Sequence, residues 1–176
     1  KMKKQHYLLI LMLIFVTRCS REKECCVQPK QSEVTLNFTH NWDRLEVTKQ
    51  DFNELKFTNT NGERLSIENL RYLISNISLV NAKNYYLIDV GENTGTSITI
   101  PNLANGSYVL SFRFGFSDED NIDGVYQDLN SVSFNVPGML GGGYHFMQFD
   151  GKYLNSNNEE AGFNYHTIRA VDRTDP

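Results

Sequence analysis

The sequence predicts an all-β fold, an antiparallel β-sandwich-like domain placed after an N-terminal signal peptide. Three observations carry that reading. From residue 34 onward, apolar and polar residues alternate over short runs, the two-residue period of strands with one buried face. Turn signals separate the runs: Asn61-Gly62, Gly91-Glu-Asn93, Asn105-Gly-Ser107 and Asp123-Gly124. Many short strands between such turns suit a sandwich or barrel.

Residues 1–18 hold Lys1, Lys3, Lys4 and Arg18, no acid, and one apolar stretch from Tyr7 to Val16. That stretch is about half the roughly twenty residues a membrane-spanning helix needs, so it reads as an export signal and not as a permanent anchor. Cys19 follows at the place where a bacterial lipoprotein signal puts the residue that receives the lipid. Arg18 stands where that motif normally has a small residue, so cleavage as an ordinary secreted protein is the competing reading. Residues 19–33 are polar and aperiodic, as a tether between an anchor and a domain would be. The domain is expected to occupy residues 34–176. Met2 reads as the natural start, and the last residues, Arg169 to Pro176, read as the entry to a strand that is cut short.

Strands are expected at Val34–Thr39, where Val34, Leu36 and Phe38 share one face, and at Asn53–Thr58, Arg71–Leu79, Tyr85–Asp89, Ser97–Ile100, Tyr108–Phe116, Ser131–Asn135 and Gly143–Phe149. Leu65–Leu70 could form one helical turn, with Ser66 as its cap and Asn69 in the reciprocal position.

Charge and cysteines narrow the function. Without residues 1–18 the chain has 13 Lys and Arg against 21 Asp and Glu, a net charge of −8. Nucleic-acid binding needs a basic face, and no Lys/Arg cluster follows Cys19. The only other cysteines, Cys25 and Cys26, lie in the tether and cannot staple the domain. No Gly-x-Ser-x-Gly elbow, phosphate-binding glycine loop or His-Glu-x-x-His motif occurs, so no enzyme activity is expected. The acidic loop Asp118 to Gly124 resembles a calcium loop but has Ile122 at the fifth position and Leu129 at the twelfth, where oxygen ligands are required.

Three histidines remain, His40, His145 and His166. Neutral imidazoles suit copper, zinc, nickel and iron, yet the spacing by itself equally describes three unrelated strand-end histidines. Trp42, the only tryptophan, stands two residues from His40. His145 lies in a glycine-rich stretch with Met139, a soft thioether donor of the kind cuprous ion prefers, although methionine more often fills a core.

Three segments then resemble one family: Gly62-Glu-Arg-Leu-Ser-Ile-Glu-Asn-Leu-Arg-Tyr-Leu-Ile-Ser-Asn76, Ser111-Phe-Arg-Phe-Gly115-Phe116, and Gly143-Tyr144-His145-Phe146 leading to Gly162-Phe-Asn-Tyr-His166. In order and spacing they are similar to the MbnP family of methanobactin-associated periplasmic proteins. The resemblance implies an exported all-β protein of the cell envelope, facing the periplasm or anchored at the outer membrane, that binds copper. It implies His40 and His166 as ligands, Trp42 as a residue oxidised to kynurenine, and a di-haem peroxidase-like partner for that oxidation. The chain departs from the family where Met139-Leu-Gly-Gly-Gly143 replaces tryptophans and where His145 replaces a lysine, so copper ligation by His145 is a reading of this chain's own residues. The alternative function is an envelope accessory module that binds a protein or a glycan without metal; hydrolysis by an unseen carboxylate pair is the third.

Overall fold

The computed structural model describes residues 30–80 and 85–170; the leader, Cys19, residues 20–29 of the tether and residues 171–176 lie outside that range, whereas Gln31–Glu33, expected in the tether, already form the start of the first strand. Strands run in chain order as β1 (Gln31–Asn37), β2 (Asn41–Trp42), β3 (Leu45–Glu46), β4 (Phe57–Thr58), β5 (Arg64–Leu65), β6 (Asn69–Ser75), β7 (Tyr85–Asp89), β8 (Ser97–Ala104), β9 (Arg113–Phe114), β10 (Met147–Leu154) and β11 (Glu160–Thr167). One short helix, α1 (Gln127–Ser131), precedes β10.

All the pairings are antiparallel. β1 and β8 form a two-stranded sheet, and seven strands form a larger one in the order β4-β5-β10-β6-β7, with β11 on β10 and β9 on β6. The fold is therefore all-β, with two sheets packed as layers. Alternation along β6 decides what lies between them. Leu70, Tyr72 and Ile74 face a core that also takes Ile98 and Leu36 from the small sheet and Phe57, Ile67 and Ile88 from the large one. Leu73 points the opposite way, into a second core with Phe116, Leu129, Phe134 and Tyr144. The large sheet is thus covered on both faces, as burial of apolar residues on both sides of β6 requires.

Several expected elements change for identifiable reasons. β7 has the expected bounds, and β8 runs four residues further than expected. The expected strand from Arg71 ends at Ser75 because Asn76 adopts a left-handed φ of 51°, and Asn53, at φ 65°, confines the strand expected over Asn53–Thr58 to its last two residues. No helical turn forms at Leu65–Leu70. There the backbone N–H of Ser66 donates to the carbonyl of Lys152 and that of Glu68 to Asp150, so pairing with β10 replaces the local turn. Ser131 closes α1 and does not open a strand; Asn135 keeps a single bridge to Tyr144. Of Tyr108–Phe116, only Arg113–Phe114 pairs as a strand. β11 forms across Gly162–His166, where the sequence shows a motif and no strand is expected.

Gly151, in the middle of β10, shows how tightly the sheet is closed. A Cβ there would sit 2.1 Å from the carbonyl oxygen of Ser66 and 2.9 Å from the Phe163 ring, whereas at Gly162 the nearest atom would be 4.0 Å away. The backbone contact cannot yield as a side-chain tip could. Gly151→Ala should therefore cost about 2–4 kcal/mol, against about 0.5 kcal/mol or less for Gly162→Ala, in the free energy of urea unfolding. Equal losses at the two sites would contradict this packing.

Candidate functional site

The register around β10 builds a polar surface on the second-core face of the large sheet. Gln148 is paired with Arg71 on one side and with His166 on the other, and two residues along the strand Asp150 is paired with Asn69 and Asn164. Because alternate residues share a face, these six side chains form two cross-strand rows. His145 joins them from the segment just before β10, where its N–H bonds to the Phe134 carbonyl.

The rings of His145 and His166 lie 4.8 Å apart, edge to face at 77°. His166 is fixed from behind: its Nε2 and Asp150 Oδ1 are 2.7 Å apart. Asp150 is fixed in turn, since Asn164 donates to Oδ1 at 2.6 Å and Asn69 to Oδ2 at 2.7 Å. Burial opposes ionisation of Asp150, but the hydrogen bonds from Asn164, Asn69 and His166 outweigh it and hold its pKa below the ordinary carboxylate value. The tautomer that donates Nε2–H to this carboxylate leaves the Nδ1 lone pair of His166 available, the arrangement by which a carboxylate orients a histidine for ligation.

His145 is 7% exposed and packs edge-on against Phe134. Its Nδ1 is buried and has no hydrogen-bond partner. Burial, then the charge of a protonated His166, then Arg71, push its pKa down to about 4, with the Asn135 backbone and Asp150 working the other way. The imidazole is therefore neutral at physiological pH and carries an unused donor nitrogen. A buried polar atom without a partner costs stability, and a ligand on Nδ1 would supply the missing bond. Arg71 closes the site. Its guanidinium donates to Gln148 Oε1 at 2.5 Å and to the Val132 carbonyl at 3.0 Å, and stacks over Phe134 at 5.7 Å.

The other expected site residues lie elsewhere. His40 is bonded through Nε2 to the Tyr72 hydroxyl at 2.8 Å. Tyr72 belongs to the first-core face of β6, so His40 and His166 stand on opposite faces of the large sheet and do not share a site. Burial lowers the pKa of His40 and raises that of Tyr72 to about 12. His40 also lines a cleft of about 340 Å³ with Glu46 and Gln50. Trp42 packs against Phe57 and Phe149 and donates its indole N–H to the Thr58 carbonyl at 2.8 Å. Met139 is 88% exposed in a short turn. The acidic loop is tied to the fold: Tyr144 N–H donates to Asn121 Oδ1 at 2.7 Å and Gly143 N–H to Asp123 Oδ1 at 3.3 Å.

Sequence reasoning missed Asp150, Asn69, Asn164, Arg71 and Gln148. The signal for part of this set is Asn155-Ser-Asn-Asn158, a turn tetrad. A hairpin centred on residue 157 pairs Gln148 with His166 and Asp150 with Asn164. Among the described residues, no group of three or more His, Cys, Asp or Glu is arranged to hold a metal ion; His145 and His166 form a pair.

The MbnP family model matches residues 31–175. No curated protein matches the chain, and no solved structure does.

The depressed pKa of His145 has a defined effect on stability. Between the unfolded value of 6.5 and the folded value of about 4, the unfolded chain binds a proton that the folded chain refuses, so stability falls as pH falls. In chelator-treated protein, unfolding free energy should drop by about 1–2 kcal/mol from pH 6.5 to 5 through this residue. His145→Phe should flatten that slope. An unchanged slope would mean that His145 takes up its proton alike in the folded and unfolded chains.

Proposed function

The chain belongs to the MbnP family, and from that premise we propose that it is an exported cell-envelope lipoprotein that binds copper for acquisition or handling, with His145 and His166 as the ligands. The observation that carries the proposal is the pairing of two imidazoles, that of His145 with a buried unpartnered Nδ1 and that of His166 oriented by Asp150. It is a binding function and not an enzymatic one.

Donor number and charge favour the cuprous ion within this reading. A structural zinc site takes four protein ligands and a catalytic one three, whereas two imidazoles satisfy a monovalent copper. The surroundings hold Arg71 as a cation and Asp150 as an anion, and these two charges offset each other. A monovalent ion leaves one net positive charge in a half-buried place, and a divalent ion leaves two next to Arg71, which is the costlier arrangement. Asp150 would keep His166 in the ligating tautomer, and Phe134 would keep water from the His145 side.

The rest of the reading follows from the family and the leader. Cys19 is the lipidation site, and the di-haem peroxidase-like partner would act on Trp42, whose indole is half-buried at the edge of the first core. Among the described residues no helix is long and apolar enough to cross a membrane.

Competition with a cuprous chelator tests the site. The parent chain should bind one equivalent of cuprous ion, and His40→Ala should bind as the parent does. The double variant His145→Ala, His166→Ala should bind none, and Asp150→Asn should bind roughly 10–100-fold more weakly, as expected when a residue that orients a ligand is lost. Loss of copper on His40→Ala with retention in the double variant would overturn the assignment. A folded parent without copper would place the protein-binding or glycan-binding module ahead.

A further inference from the structure

Residues 93–112 contain no Asp, Glu, Lys or Arg, although 22% of the chain is charged. The first part of this span is β8, where Ile98 and Ile100 are buried in the core and account for the apolar pattern. The second part is not so explained. Tyr108 is 46% exposed, Val109 85% and Leu110 43%, side by side on the surface. An exposed apolar strip of consecutive residues is a contact surface in search of a partner, whereas scattered apolar residues need no account.

Its position indicates which partner. Gln31, the first residue of β1, pairs with Ala104, and Ser32 donates its hydroxyl to Asn105 at 2.9 Å. The Tyr108 hydroxyl donates to the Ala104 carbonyl at 2.5 Å, and Ser32, Val34, Leu103 and Tyr108 line one shallow cleft. The strip therefore lies at the end of the domain where the chain enters β1. Only the eleven residues 20–30 separate β1 from Cys19. Fully extended, they reach about 40 Å, so an anchor at Cys19 keeps the domain near the bilayer without selecting the face that meets it. Charge makes that selection. The chain after residue 18 has a net charge of −8, and anionic headgroups repel every face that displays acids. The strip displays none; the nearest acid in β1, Glu33, follows the basic Lys30.

We propose that Tyr108, Val109 and Leu110 form a bilayer-contact strip that seats the domain on the lipid surface beside its own anchor. Tyr108 supplies the amphipathic ring suited to the headgroup level, and Val109 and Leu110 enter the acyl boundary. The proposal rests on the reading of Cys19 as the lipidation site, and the experiment separates the two.

The full chain, expressed with its leader in a lipoprotein-processing bacterium, is reconstituted in vesicles of phosphatidylethanolamine and phosphatidylglycerol, and mass spectrometry of the Cys19 peptide reports lipidation. Hydrogen exchange of residues 106–111 should then be at least about threefold slower than in the same chain in detergent-free buffer carrying Cys19→Ser, and Val109→Asp should abolish the difference. Equal exchange with lipid confirmed on Cys19 overturns the strip. If Cys19 carries no lipid, the anchor reading fails by itself. The processed, unlipidated chain is then sedimented with excess vesicles: binding lost on Val109→Asp supports the strip, and no binding overturns it.

Discussion

The register of β10 between β6 and β11 is the constraint on which the site depends. Gln148 and Asp150 each meet a partner on both neighbouring strands, and a slip of one residue would turn both side chains into the first core. Two features oppose a slip. Gly151 admits the Ser66 carbonyl and the Phe163 ring at distances no Cβ would allow. Asp150 spends both carboxylate oxygens on Asn69, Asn164 and His166, a set reachable only in this register. The same contacts that fix the strand therefore orient the histidine.

The site is costly as a piece of folding. Gln148 and His145 are buried, and Arg71 Nε and His145 Nδ1 are buried without partners. An apolar core of the same shape would be cheaper, since unsatisfied polar atoms lose solvation and gain nothing. The second core underneath it, Leu73, Phe134, Tyr144 and their neighbours, carries that cost. Tyr144 serves both parts: its ring fills the core while its backbone clips the 118–124 loop through Asn121. Residues next to His145 are thus held from three elements.

How much of this was legible in the sequence differed with the range of the interaction. β7 could be read as a short aromatic and aliphatic run beside turn signals, and all-β architecture from the recurrence of short runs between turns. Leu65–Leu70 could not, because the hydrogen bonds that make it extended go to Asp150 and Lys152, more than eighty residues away. His145 and His166 were legible as donors but not as a pair. His40 and Trp42 drew attention because they are close in sequence, yet His40 bonds to Tyr72 and Trp42 to Thr58. Asp150 gave no signal of its own, since its role comes entirely from cross-strand register.

The family match covers the whole described domain and supplies the envelope context, while the placement of the donors is particular to these strands. The most direct measurement is long-range proton–nitrogen correlation of the imidazoles before and after one equivalent of cuprous ion. Shifts of the ring nitrogens of His145 and His166, with those of His40 unmoved, are the predicted result. A shift at His40 with the other two unchanged would contradict the account.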